Sequence, residues 1–154
     1  MAGVAQVLQP KGVKVALTDP MGSGLYKLFT EQDPPKGDSI SEGIGQGRIT
    51  ANLEGFTPDF VYKVSDDEAL PIIFDLLRNE GLCMGGSTGI NIGGAIRLAK
   101  ELGPGHTIVT ILCDYGTRYQ SKIFNADFLK SKGLPVPSWL METRHDIPAV
   151  FEDA

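Results

Sequence analysis

Apolar and polar residues follow one another along the chain in periods typical of short helices and strands. Residues 2–9 carry apolar residues at near-helical spacing, and Pro10 stops that pattern, which predicts the end of a helix. β-Branched runs at 13–17 and 60–64 predict two strands. Residues 20–47 are rich in glycine, proline, serine and aspartate, and they predict a long loop of the kind that is usually functional or mobile.

The second strand is followed by the pattern of an amphipathic helix. Ser65 stands at the N-cap position with Glu68 three residues later, as in a capping box. Gly81 stands where a C-cap glycine is expected. The apolar stripe predicted to face the core consists of Ala69, Ile72, Ile73, Leu76 and Leu77.

The rest of the chain predicts two more strands and two more helices. Short apolar runs at 82–84 and 107–112 predict strands, and the second is expected to be covered on both faces of a sheet. Helices are predicted at 88–102 and 120–129. The inward face expected for the longer one consists of Ile92, Ala95, Ile96, Ala99 and Leu102.

Strands that alternate with helices predict an α/β fold with a parallel or mostly parallel sheet. Ligands of such sheets lie beyond the carboxyl ends of the strands. The loops that follow Leu17, Met84 and Leu112 are therefore the expected place of a functional site.

Composition and charge narrow the class of partner. The chain has 154 residues, a net charge of −5 and no basic cluster, which argues against a nucleic-acid surface. No apolar stretch reaches the roughly 18 residues that span a bilayer. The first twelve residues lack the apolar core of a signal peptide, so we expect a cytoplasmic protein without membrane contact.

Cysteine and histidine give no sign of a metal site. Cys83 and Cys113 lie in apolar runs without a neighbour at metal-ligand spacing, and we expect both to be reduced and buried. His106 and His145 are too scattered to form a ligand set.

Residues 85–89, GGSTG, form a turn with three glycines and two hydroxyls directly before a helix. Such a turn presents free backbone N–H groups and the positive end of the helix dipole, which together can bind an anion or an electron-rich atom. The alternative is a plain tight turn in which Ser87 or Thr88 caps the helix. Neither a P-loop nor a dinucleotide fingerprint is present.

Two further stretches have the composition of binding loops. SEGIGQGRI at 41–49 contains three glycines and fits either a substrate-binding loop or a flexible surface loop. CDYGTRYQS at 113–121 follows the predicted strand at 107–112, where Asp114 either orients a group or begins a turn. No Ser-His-Asp arrangement or pair of carboxylates stands out, so the residues predict binding without an obvious nucleophile or base.

The chain resembles the second half of cysteine synthase, O-acetylserine (thiol) lyase. The motifs that carry the resemblance are EGIGQGRITANLEG, GLCMGGSTGINIGGAIRLAKELG and IVTILCDYGTRYQSKIFN, which occur in the order and spacing of that family. The similarity extends over residues 1–140, which implies the C-terminal portion of a pyridoxal-phosphate enzyme domain, with 141–154 as an irregular tail. The implied fold is part of the three-layer fold type II, shared with cystathionine β-synthase, with a mostly parallel sheet flanked by helices.

The resemblance assigns roles to the GGSTG turn. It implies that the Ser87 hydroxyl binds the pyridine nitrogen of pyridoxal 5′-phosphate, with Gly86 and Thr88 also at the cofactor. A neutral hydroxyl does not hold that nitrogen protonated as a carboxylate would, so the ring is expected to be a moderate electron sink. The cofactor carries the organic chemistry, by which acetate is eliminated from O-acetylserine and sulfide is added to give L-cysteine.

The resemblance also places the two neighbouring loops. Gly43 and Ile44 match the glycine loop beside the substrate, and Asp114 matches a loop near the pyridine ring. Many members of the family have proline where this chain has Cys113, which is a departure from the pattern.

Other functional residues of the family have no counterpart among these motifs. The Schiff-base lysine, the asparagine at the 3′-oxygen and the substrate-carboxylate loop belong to the family's first half, so no catalytic residue is assigned in this chain. The glycine-rich phosphate cradle stands just before the helix that matches residues 1–9, so the chain is expected to begin directly after it. Expected partners are a missing N-terminal half or a homodimer partner.

Three interpretations follow. The first is the C-terminal segment of a cysteine synthase that needs the other half for catalysis. The second is a non-catalytic truncated module that binds a full-length homologue. The third is an unrelated nucleotide-binding α/β domain that uses GGSTG for a phosphate.

Overall fold

The computed structural model describes residues 1–33, 36–48 and 50–142. Its regular elements alternate between helix and strand in the first half of the chain and are helical in the second. Part of the predicted tail, residues 143–154, lies outside the described residues. The elements are α1 (Ala2–Leu8), β1 (Ala16–Pro20), α2 (Leu25–Thr30), β2 (Phe60–Val64), α3 (Asp66–Glu80), α4 (Gly86–Leu102) and α5 (Ala126–Ser131), with 3₁₀ turns at Gln9–Lys11, Ala51–Leu53, Gly116–Tyr119 and Ser138–Leu140.

The two strands pair in parallel, from Ala16 opposite Phe60 to the end of β1 opposite Val64. The prediction for β2 is confirmed, whereas β1 begins three residues later than the predicted strand at 13–17. Before β1 begins, both backbone groups of Val15 form hydrogen bonds with Asp59, the residue that precedes β2. Its carboxylate accepts from the Val15 N–H at 2.9 Å, and its own N–H donates to the Val15 carbonyl at 2.8 Å.

The predicted loop at 20–47 is wrong in one part, because it contains the helix α2. The first turn of α2 is held by the buried Asp19, whose carboxylate accepts from the Tyr26 N–H at 2.9 Å. A side chain of the preceding strand thus supplies the acceptor that a cap residue would otherwise provide.

The helix α3 begins and ends where the pattern predicts, and Gly81 closes it in the left-handed conformation with φ of 69°. The predicted capping box is absent, since the Ser65 side chain makes no cap hydrogen bond. Glu68 instead pairs with Arg97 of α4. The buried residues of α3 are Asp66, Ala69, Leu70, Ile73 and Phe74. Of the predicted stripe, Ala69 and Ile73 are therefore buried, whereas Ile72, Leu76 and Leu77 are half-buried.

The inward face predicted for α4 is wrong. Its buried residues are Gly86, Ser87, Thr88, Gly89, Ile90, Gly93 and Gly94, whereas Ile96 is exposed. At Gly94 the helix backbone approaches β1 so closely that a Cβ atom would collide with the Thr18 side chain. The helix therefore packs through glycine, which a search for large apolar residues cannot detect.

Neither 82–84 nor 107–112 forms a strand. Met84 makes only an isolated antiparallel bridge with Tyr115. In the segment 107–112, Val109 is 85% and Ile111 65% exposed, and no described strand pairs with it. A strand needs a neighbour for its backbone groups and one for its side chains, and the described part of the chain supplies neither.

The last predicted helix, 120–129, lies further along as α5, whose first turn is capped by the Asn125 side chain accepting from the Phe128 N–H at 3.0 Å. Met84, Tyr119, Ile123 and Leu129 join α3 in the largest apolar cluster. None of the helices in the described residues is long and apolar enough to cross a membrane.

Candidate functional site

Ser87 lies in the first turn of α4, and its side chain is buried. Its hydroxyl oxygen is 3.4 Å from Oδ1 of Asp114, the residue that the sequence analysis placed in the neighbouring loop. Gly86 and Thr88 are the chain neighbours of Ser87. The fold therefore brings Asp114, the fourth expected cofactor-binding residue, to the other three.

The loop at 113–116 is attached to the start of α4 by backbone hydrogen bonds. The Gly85 N–H donates to the Asp114 carbonyl at 2.9 Å, and the Cys113 N–H donates to the Thr88 hydroxyl at 3.0 Å. A third bond joins the Gly116 N–H to the Cys83 carbonyl at 2.9 Å. Thr88 thus bonds to the protein's own backbone, whereas the hydrogen-bond partner of the Ser87 hydroxyl among the described residues is the Asp114 side chain.

The Asp114 carboxylate has a second partner besides Ser87. Its Oδ2 accepts a hydrogen bond from the Tyr119 hydroxyl, and the Arg118 guanidinium lies 3.9 Å from the same oxygen. The hydrogen bond to Asp114, together with burial, raises the pKa of the Tyr119 phenol. The carboxylate is therefore held between two hydroxyl donors.

Two glycines of the turn are explained by packing. A Cβ at Gly85 would lie 2.6 Å from Asp114 Oδ1 and 2.7 Å from the Tyr119 ring. A Cβ at Gly86 would lie 2.5 Å from the Ser41 hydroxyl oxygen. The space that glycine leaves at these positions is thus filled by the protein's own side chains.

The glycine loop at 41–48 passes beside this turn. Ile44 packs on the apolar cluster that includes Val64 and Ile90, which fixes the loop on the core. Gly43 is exposed, has a φ of 75°, and has no atom near the position of a Cβ, so its surroundings are open. Glu42 pairs with Lys122, which joins the loop to the segment after the 3₁₀ turn.

The sequence analysis missed several residues that build this site. Asn91 accepts from the Thr18 hydroxyl at 3.0 Å and donates to the Ile111 carbonyl at 3.0 Å, so it joins β1 to the segment 107–112. Asn91 could have been predicted as part of the site, because it lies four residues after Ser87 and therefore on the same face of the helix. Tyr119 and Lys122 had no comparable signal, because their partners come from an irregular turn and from a distant loop.

One expectation about the cysteines is wrong. Cys113 is exposed and Cys83 only half-buried, although both are free thiols as predicted. The cause for Cys113 is the exposure of the segment that precedes it. Among the described residues no cluster of histidine, cysteine and carboxylate side chains could hold a metal ion.

The chemistry of the site fits a neutral or positively charged heteroaromatic nitrogen. Ser87 supplies a hydroxyl with one proton and two lone pairs, and the carboxylate of Asp114 supplies negative charge behind it. An anion would instead face the Asp114 carboxylate at close range. The phosphate that the turn alone could have bound is therefore disfavoured here.

Comparison with known proteins shows the family of the chain. The family model described as "Pyridoxal-phosphate dependent enzyme" matches residues 1–114. Cysteine synthase 2 of Schizosaccharomyces pombe is 39% identical in an alignment 158 residues long. That alignment covers 91% of this chain and 40% of that protein. Cysteine synthase 1 of Emericella nidulans is 41% identical over 142 residues, with 87% and 38% covered.

A solved structure has the same fold over the shared part. The O-acetylserine dependent cystathionine beta-synthase from Helicobacter pylori superposes with a TM-score of 0.69 and 29% sequence identity, over 79% of this chain and 38% of that one. The chain thus spans about two fifths of the length of the relatives that it matches. These likenesses give no support to the nucleotide-binding interpretation. The chain belongs to the pyridoxal-phosphate dependent enzymes, a family whose cofactor is pyridoxal phosphate, and within it is similar to the cysteine synthases.

Proposed function

We propose that this chain contributes the ring-nitrogen end and the substrate loop of a pyridoxal-phosphate site that makes L-cysteine from O-acetylserine and sulfide. The observation that carries the proposal is the buried Ser87 hydroxyl at the start of α4, backed by Asp114. Bound pyridoxal phosphate supplies an electron sink that stabilises negative charge at the substrate's α-carbon. In the net reaction the α-proton and acetate would leave, and hydrosulfide at the β-carbon and a proton at the α-carbon would replace them, so that L-cysteine and acetate are the products.

The residues of this chain have three tasks in that proposal. Ser87 holds the ring nitrogen and so fixes the orientation of the ring. Gly43, in an open loop, leaves room for the substrate beside the ring. The pair of Glu42 and Lys122 keeps that loop near the turn.

The remaining parts of the site, including the Schiff-base lysine and the phosphate contacts, come in this proposal from the portion of the family fold that the chain does not span. The exposed segment 107–112 supports this assignment, because its apolar side chains face solvent and none of the described strands pairs with it, as suits an added β-strand. A module that only binds a full-length homologue would use the same segment, so activity is the property that separates the two interpretations.

The test is a chimera in which this chain replaces the matched region of the Schizosaccharomyces pombe relative. We expect it to form L-cysteine from O-acetylserine and sulfide, and we expect Ser87→Ala to lower the affinity for pyridoxal phosphate by about tenfold, the scale of one lost hydrogen bond. A substitution at the exposed surface, Ser131→Ala, is the matched control. A folded chimera that binds the cofactor without forming cysteine would contradict the proposed reaction, and an unchanged affinity in Ser87→Ala would contradict the role of Ser87.

A further inference from the structure

Asp66 lies in the first turn of α3 and is buried. Both oxygens of its carboxylate accept short hydrogen bonds from the loop that leads to Gly43. Oδ1 accepts from the Ser39 hydroxyl at 2.6 Å, and Oδ2 accepts from the Ile40 N–H at 2.7 Å. Hydrogen bonds to a carboxylate are roughly twice as strong as those between neutral groups, and the positive end of the α3 dipole favours negative charge here. The start of the loop is therefore fixed on α3.

The contacts continue from this carboxylate to the turn before α4. The same Ser39 hydroxyl that donates to Asp66 accepts from the Ser41 N–H at 3.1 Å, which closes a local turn. The Ser41 side chain then packs on Gly86, where a Cβ would lie 2.5 Å from the Ser41 hydroxyl oxygen. Gly86 is the chain neighbour of Ser87. Three successive contacts thus join the Asp66 carboxylate to the backbone next to Ser87.

The other end of the loop is fixed by different residues. The Gln46 N–H donates to the Ser23 hydroxyl at 2.9 Å, and the Gln46 carbonyl accepts from the Gly24 N–H at 2.9 Å. Gly43 lies between the two fixed ends and is itself exposed. A short segment that is held at both ends has few conformations to lose when a ligand binds to it. The loop is therefore ordered in advance, and Asp66 holds one of its two ends.

We propose that Asp66 is a positioning residue that acts through Ser39 and Ile40 to hold Gly43 in the conformation that receives the amino-acid substrate. This inference rests on the proposed function, which places Gly43 beside the substrate. A loop that is already in its binding conformation binds more tightly than one that must first be ordered. If loss of Asp66 leaves a tenth of the molecules with the loop in place, the apparent affinity for the substrate falls about tenfold.

The first experiment measures amide hydrogen exchange by NMR in the complete chain without a ligand. Asp66→Ala removes both acceptors, and we expect the Ile40 and Ser41 amides to exchange about tenfold faster. Amides in the interior of α4 should keep their rates, which separates local opening of the loop from a general loss of stability. Asp67→Ala is the matched control, because Asp67 is an exposed carboxylate in the same first turn of α3.

A second variant tests the loop from its own side. Ser39→Ala removes one donor to Asp66 and the acceptor of the Ser41 N–H. We expect faster exchange at Ser41, whereas Ile40 stays protected by Asp66. Because Ser39 lies in a half-buried loop, this variant decides the question even if Asp66→Ala does not fold.

The second experiment places the same substitutions in the chimera. We expect Asp66→Ala to raise the KM for O-acetylserine about tenfold, with kcat and the affinity for pyridoxal phosphate within about twofold of the parent. Asp67→Ala should change none of the three.

Two results would overturn this inference alone. One is unchanged exchange at Ser41 in Ser39→Ala and at Ile40 in folded Asp66→Ala, and the other is an unchanged KM in an active Asp66→Ala chimera. A parent chimera that binds the cofactor without forming cysteine would contradict the proposed function and the role of Asp66 toward the substrate. The exchange rates in the complete chain would then still show whether Asp66 holds the loop.

Discussion

The ammonium group of Lys63 lies 3.3 Å from the Asp19 carboxylate, with only 6% and 1% of the two side chains exposed. The same ammonium donates to the Ser23 carbonyl at 2.8 Å. The Ser23 hydroxyl accepts from the Gln46 N–H at 2.9 Å. A buried ion pair between the two strands thus supports the glycine loop that borders the candidate site.

Removal of one partner of this pair should be strongly destabilising. In Asp19→Asn the Lys63 ammonium stays buried without its counter-charge, and we expect a loss of about 3 kcal/mol in the free energy of unfolding. Urea denaturation measures it. The control is Asp33→Asn, which removes a carboxylate from the exposed pair with Lys27, where solvent screens the interaction. Equal midpoints for the two variants would show that burial of the pair does not matter.

A second prediction concerns acid pH. The Lys14 ammonium, the Val15 N–H and the Gln9 amide lower the pKa of Asp59 to about 2. A lowered carboxyl pKa contributes stability above the ordinary value near 4, and that contribution is lost as the pH falls toward 2. In Lys14→Met we expect the Asp59 pKa to rise toward its ordinary value.

The measurement for Asp59 is a pH titration of its carboxyl carbon by NMR. Lys11→Met serves as the control, since Lys11 makes no contact with Asp59 among the described residues. An Asp59 pKa that does not move in Lys14→Met would refute the assigned cause.

The turn before α4 should tolerate no side chain at its first position. Gly85→Ala places a methyl group against Asp114 and the Tyr119 ring, and we expect a loss of about 1–3 kcal/mol in stability from this overpacking. Gly3→Ala, in an exposed turn of α1 with open space around it, should be neutral or stabilising by up to about 1 kcal/mol. Thermal denaturation of both variants tests the contrast, and a reversed order would refute it.

The exposed segment 107–112 should matter for assembly and not for the stability of the isolated chain. Val109→Lys and Ile111→Lys remove apolar side chains that contact solvent, so we expect unfolding free energies within about 0.5 kcal/mol of the parent chain. In the chimera the same substitutions should abolish folding or cofactor binding. Full activity of the substituted chimera would show that this segment does not pack against the rest of the fold.

Elements with a clear local pattern and a partner among the described residues were predictable, and the segment without such a partner was not. The bounds of α3 and β2 follow from local periodicity and from the glycine at position 81. The segment 107–112 has the composition of a buried strand, yet a strand exists only where another strand pairs with it. Its apolar residues are typical of a strand that is covered by neighbours, and the described part of the chain does not supply those neighbours.

In the candidate site, the residues could be predicted from the sequence and their contacts could not. Ser87 and Asp114 were assigned to the cofactor through the resemblance, and that assignment stays a prediction. The contact between them, and the hydrogen bond from Tyr119, depend on how the turn at 113–119 folds back onto α4. No spacing in the sequence encodes that geometry.

The bond from the Cys113 N–H to Thr88, and that from Asn91 to the Ile111 carbonyl, join the exposed segment 107–112 to the helix that carries Ser87. In our proposal, a chain segment that pairs with 107–112 acts through these two bonds on the residues on either side of the ring-nitrogen contact. By thermodynamic reciprocity, the cofactor must in turn strengthen whatever contact that segment makes. The two binding events share one structural element, so in our proposal the cofactor and the remainder of the fold bind this chain cooperatively.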